Sequence, residues 1–152
     1  MKKKIIGFGI FCLIIGIFLL FDFGRSKLFT ISLVDVQPYP IVADGNTKVT
    51  VKALLTRGDK PVEGHELYIL SLDGGIFHPY RSRTNAAGEA FFEYFPYRAS
   101  HINPLRDLRF EVRNESNSVF FEVNAKNTFT LSAVESQTEV QGNFTMSDLF
   151  GD

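Results

Sequence analysis

Cysteine is almost missing from these 152 residues: Cys12 is the only one, and it sits inside an apolar run near the N-terminus. Everything after it lacks both disulfide and thiol, which excludes a cystine-stapled fold and thiol redox chemistry there. Excess charge of one sign is missing too. Residues 28–126 carry eleven Lys and Arg against twelve Asp and Glu, well mixed along the chain. No basic stripe suggests nucleic acid, and no basic amphipathic helix suggests a second membrane contact. Catalytic patterning is equally absent. His65, His78 and His101 are scattered, with no His-x-x-x-His or Glu-paired metal spacing, and neither a Gly-x-Ser-x-Gly elbow nor a phosphate loop occurs. An enzyme needs convergent acid–base or nucleophilic groups. The reading is therefore non-catalytic, with no cofactor implied.

A long apolar run is present. Ile5–Phe21 contains no charge, and Lys2, Lys3 and Lys4 stand directly before it. At about 1.5 Å per helical residue the run reaches roughly 25 Å, slightly short of the ~30 Å hydrocarbon core of a bilayer. Phe23 and the snorkelling lysines make up the difference. The expected organisation is a basic cytoplasmic end over 1–4, a transmembrane helix over 5–23 and a linker over 24–29. The three lysines outweigh Arg25 and Lys27, which Asp22 offsets, so the N-terminus is expected in the cytoplasm and the rest outside. Gly24-Arg25-Ser26 has the spacing of a signal-peptide cleavage site, but the run is longer than a usual signal core, which favours a retained anchor.

Beyond the anchor the pattern has period two, bounded by turns. Val49, Val51, Ala53 and Leu55 share one face of a strand over 48–56. Leu67 and Ile69 point inward from 65–72, as do Ala90, Phe92 and Tyr94 from their strand. Leu108, Phe110 and Val112 alternate with charged residues, and Val119, Phe121 and Val123 follow after the turn Asn114-Glu115-Ser116-Asn117, which suggests a hairpin. Ile31–Val36 reads as a first strand, ended by Pro38 and Pro40. Gly, Asn and Asp mark the turns at 43–46, 57–61, 73–75 and 85–88. With no helical stretch after the anchor, this is an all-β sandwich over 30–125. The remainder, 126–152, has no Lys or Arg after residue 126 and reads as a polar acidic tail. It holds a possible strand over 128–134, flexible chain beyond it, and a short apolar element at Met146–Phe150.

The order of these turns resembles a known family. Ala43-Asp44-Gly45, the strand 49–55, Lys60-Pro61-Val62-Glu63-Gly64 and Thr84-Asn85-Ala86-Ala87-Gly88-Glu89-Ala90 look like the bacterial immunoglobulin-like domains of the invasin/intimin type. The resemblance covers residues 42–95 and extends through the closing strands to Val123. It implies an immunoglobulin-like β-sandwich and a cell-surface adhesion role, and it carries no catalytic residues.

Four sets of residues invite a functional reading. Asp44, Asp59 and Asp73 stand in turns where calcium could be held between loops, although turn formation accounts for the same residues. Arg57-Gly58-Asp59 is the tripeptide read by integrins, and the family's own turn also generates it. The sequons Asn114-Glu115-Ser116 and Asn143-Phe144-Thr145 are of the kind that a chain rich in Asn, Ser and Thr yields by chance. Aromatics are more telling. Phe91, Phe95 and Phe120 fall on the outward phase of their segments, as does Tyr68, and a contiguous exposed apolar patch marks an interface. The expectation is one aromatic face for a partner, unless the strand around Phe129–Leu131 covers it. The protein is thus expected to be a single-pass membrane protein holding an Ig-like module outside the membrane. It contacts another membrane or envelope protein, as an interaction module or a structural subunit of an envelope assembly. Adhesion, and an exported carbohydrate-binding module or enzyme, are the alternatives.

Overall fold

The computed structural model describes residues 2–136. A single helix, α1 (Lys2–Ser26), leads the chain, and its stretch Gly9–Ser26 has a mean hydropathy of 1.8. By length and composition it can cross a membrane. No linker over 24–29 forms. The last helical turn closes on itself, with the Lys27 and Leu28 amides donating to the carbonyls of Gly24 and Arg25 and Ser26 Oγ donating to Phe23 O at 2.8 Å. The first strand starts at Phe29, so only Lys27 and Leu28 separate helix from sheet.

The strands are β1 (Phe29–Gln37), β2 (Ile41–Val42), β3 (Val49–Arg57), β4 (Lys60–Pro61), β5 (Glu66–Ser71) and β6 (Ile76–Phe77). They continue with β7 (Arg81–Arg83), β8 (Glu89–Phe95), β9 (Leu108–Asn114), β10 (Lys126–Leu131) and β11 (Ala133–Val134). One antiparallel sheet has the order β1-β3-β8-β6, with β4 added to the end of β3. The second has the order β10-β9-β5-β7. A parallel pair, β2 with β11, fastens the end of the described chain. The two larger sheets close over one core, which makes the part of the chain after α1 an immunoglobulin-like β-sandwich.

The alternation read from the sequence explains that core. Val49, Val51, Ala53, Leu55, Ala90, Phe92 and Tyr94 from the first sheet, and Leu67, Ile69, Leu108, Phe110 and Val112 from the second, are at most 1% exposed. Their centre is aromatic. Phe110 stands edge-on to Phe77 at 4.9 Å between centroids and 4.7 Å from the Tyr94 ring. The Tyr94 hydroxyl donates to Gly74 O at 2.7 Å, and burial pushes its pKa up to about 12. The turn into β8 requires glycine. Gly88 has φ +75°, and a Cβ there would lie 2.7 Å from Leu55 O.

Two expectations are corrected. Residues 119–123 form no strand; 115–125 is an irregular loop with one isolated bridge, Asn117 to Glu122. The strand that follows β9 in the chain and pairs with it is β10, in register from Lys126↔Arg113 to Leu131↔Leu108. The segment from 126 therefore begins inside the sandwich. Phe129 and Leu131 pack partly against the core, while Lys126, Asn127, Thr128 and Thr130 are exposed, as suits an edge strand whose outer side faces water. The segment around Phe129–Leu131 pairs within the second sheet and does not lie over Phe91. The Met146–Phe150 element and the Asn143 sequon lie outside the described residues.

Candidate functional site

The register of the second sheet builds a row across all four of its strands: Arg81, Tyr68, Arg113 and Lys126 stand side by side on β7, β5, β9 and β10. Leu67 and Ile69 point into the core, so this row points outward. The Arg113 guanidinium lies 4.9 Å from the Tyr68 ring centroid. That of Arg81 lies 5.3 Å from Tyr68 and 5.2 Å from Tyr80, and the two tyrosines meet edge-on at 6.0 Å. Glutamates hold the cations in place. Arg81 Nε donates to Glu115 Oε2 at 2.6 Å and lies 3.5 Å from Glu66, while Lys126 and Arg113 share Glu111 at 2.8 and 3.2 Å. The bond from Glu115 raises the Arg81 pKa. Tyrosine and arginine in a fixed arrangement are the residue types that dominate protein interfaces, because they present large area with little flexibility to lose.

Phe91 and Phe95 are elsewhere, on the outer face of β8 in the first sheet. Phe91 is 44% exposed, with Lys52 Nζ 5.2 Å from its ring. Phe95 pairs across the sheet with Ile76, which is 67% exposed. Lys48–Glu93 and Lys52–Glu89 ion pairs border this patch.

Phe120 belongs to a third place, the junction with the helix. Asp22, on α1, is 2% exposed and turned into the 115–125 loop. Its carboxylate accepts Ser118 Oγ at 2.6 Å, the Phe120 amide at 2.8 Å and the Val119 amide at 3.2 Å. Around it Phe18 meets Phe120 edge-on at 6.0 Å, and Phe23 meets Phe121 at 5.5 Å. The four aromatic residues singled out from sequence are thus divided among three surfaces. Tyr80, Arg81, Arg113 and Asp22 were missed. The outward phase of Arg113 is readable from alternation, but its place beside Tyr68 depends on register, which alternation alone does not fix.

The remaining candidates have local partners. Asp44 accepts the Asn46 and Thr47 amides and the Thr47 hydroxyl; these bonds outweigh burial and lower its pKa. Asp73 binds the Arg109 guanidinium and backbone amide, which lowers its pKa from 3.8 to about 2. Among the described residues, no three His, Cys, Asp or Glu side chains are grouped as a metal site. Arg57-Gly58-Asp59 lies at the helix end of the sandwich, where the Gly58 amide donates to Leu28 O. Asn114 of the first sequon is 8% exposed, and its Oδ1 accepts the Ser116 amide.

His65 is half-buried, stacked on Phe29 at 5.2 Å, with Nδ1 3.0 Å from Asn114 Nδ2. Burial lowers its pKa below 6.5, and the charges of Arg57 and Arg25 lower it further. Below pH 6.5 the unfolded chain therefore takes up a proton at His65 more readily than the folded one, and stability falls with pH until the folded histidine itself titrates. The melting temperature should drop between pH 7.5 and 5, and His65→Gln should flatten that part of the curve; an unchanged slope would contradict this placement.

No protein-family model and no curated protein matches the chain. Among solved structures it is similar to the D00-D0 domain of Intimin (13% identity, TM-score 0.45, 70% of this chain and 48% of that one). It is also similar to the D0-D1 domain of Intimin (17%, 0.42, 71% and 50%). A conjugative transposon lipoprotein from Bacteroides eggerthii is a further match (14%, 0.44, 68% and 96%). The chain spans about half the length of the two intimin fragments.

Proposed function

We propose that this chain is a membrane-anchored, non-catalytic Ig-like module that holds a protein-binding face at a fixed height and attitude above the bilayer. In this reading the N-terminus is cytoplasmic, the sandwich is extracytoplasmic and the partner is another membrane or envelope protein. One observation carries the reading: the apolar helix enters the sandwich through two residues and is fastened to it by Asp22. A flexible tether would let the domain sample all orientations. A docked one confines its faces and raises the effective concentration of a partner in the same membrane. The Tyr68–Arg81–Arg113 row is the proposed contact, with the Phe91–Phe95 face as the comparison surface.

A photoreactive phenylalanine analogue placed at Tyr68, Phe91 or Phe95 in native membranes tests it. A discrete protein adduct at Tyr68 is expected, weakened on the order of thirtyfold by Arg81→Ala if that residue is an interface hot spot. Adducts from Phe91 or Phe95 alone would move the contact to the first sheet. No adduct at any of the three would overturn the binding role.

A further inference from the structure

The helix and the 115–125 loop meet at a level that has consequences for lipid. Phe18 lies three residues inside the end of the apolar run at Phe21, about 5 Å along the helix axis, and one turn before Asp22. Phe120 rests against Phe18, yet its ring and the neighbouring Val119 remain 61% and 53% exposed. Two large apolar side chains at the tip of a loop, alongside a bilayer-length apolar helix, face outward and remain more than half exposed among the described residues. Arg25 and Arg57 stand with Leu20, Phe21 and Leu28 around a shallow groove, and Arg25 follows Phe18 by seven residues, about two helical turns nearer the sandwich. Apolar groups at one level and guanidinium groups about two turns nearer the sandwich reproduce the order of acyl chain and phosphate in a leaflet.

We infer that the tip of the 115–125 loop is a second membrane element: Val119 and Phe120 insert into the outer leaflet beside α1. This rests on the anchored reading above. Burying two such side chains in hydrocarbon is favourable on its own, and inserting a loop is costly only where backbone amides lose their partners. Asp22 removes that cost by accepting the amides of Val119 and Phe120. The loop in turn covers a carboxylate that would otherwise lie bare at the end of an apolar run.

The chain contains no tryptophan, so one substitution introduces the only indole. The test uses the full-length protein in phosphatidylcholine–phosphatidylglycerol vesicles with brominated acyl chains, carrying Phe11→Trp, Phe91→Trp, Phe120→Trp or Val119→Trp. Phe120→Trp and Val119→Trp are expected to lose most of their emission, chiefly to bromines near the headgroup. Phe11→Trp should be quenched by deeper bromines, and Phe91→Trp not at all. If Phe11→Trp is quenched while both loop variants behave like Phe91→Trp, the loop does not insert and the anchor stands. An unquenched Phe11→Trp overturns the anchor and the inserted loop together.

Discussion

Phe110→Ala is expected to lower the unfolding free energy by about 3–5 kcal/mol, as deleting a buried phenylalanine ring does elsewhere. The full-length chain in detergent, titrated with urea, is the measurement. Phe110 is fully buried on β9, and its ring lies between the two sheets, edge-on to Phe77 and tilted against Tyr94. Its removal leaves a void that neither neighbour can fill. Phe77 comes from a two-residue strand pinned to β8, and the Tyr94 hydroxyl is tied to Gly74 O. The rings therefore lose mutual contact rather than collapse into the gap. A domain of this size holds about 5–15 kcal/mol in total, so the variant should unfold at a much lower urea concentration. Val34→Ala is the control: Val34 is 51% exposed at the β-bulge in β1, and its loss should fall within about 0.5 kcal/mol. Equal midpoints for the two variants would rule out a shared core beneath the sheets.

The same core shows which parts of the molecule could be read from the chain alone. Every inward residue named from period-two alternation in β3, β5, β8 and β9 is buried, because a strand with one solvated face must alternate and the turns between them need Gly, Asn or Asp. The error over residues 119–123 has the same root. Val119, Phe121 and Val123 alternate as a strand would, but alternation does not say what the residues pack against. Here Phe121 packs on Phe23 of the helix, and only Val123 reaches the core. The strand that takes that place beside β9, Lys-Asn-Thr-Phe-Thr-Leu, reads from the sequence as a possible strand, but its short apolar pattern of Phe129 and Leu131 does not name the strand it pairs with. In the Tyr68–Arg81–Arg113 row the outward phase of Tyr68 and Arg113 was legible from alternation, but Arg81, on a three-residue strand, and the row itself were not, since the row combines strands distant in sequence. Asp22 was visible only as an acid offsetting two basic residues. Its role depends on a loop about a hundred residues later folding back onto the helix, and no local pattern reports that.

Asp22→Ala should release that loop without unfolding the sandwich. Amide exchange followed by mass spectrometry is expected to show the 117–122 segment exchanging on the order of tenfold faster or more, since buried amides left without their acceptor gain by opening to water. Exchange in β8 should stay as it was, because its amides pair with β3 and β6 away from the loop. Asp22→Asn, which keeps a carbonyl acceptor in the same place but loses the charge, should fall between the two. Asp22→Leu separates the two demands on this position. It lengthens the apolar run and should hold the helix in the membrane at least as well, yet it offers the loop no acceptor, so the domain should swing on Lys27 and Leu28. A spin-label distance between the helix and β5 would broaden in Asp22→Leu while membrane retention is kept. If the distance stays narrow, the aromatic contacts Phe18–Phe120 and Phe23–Phe121 hold the junction by themselves. The carboxylate would then serve only to satisfy the loop amides.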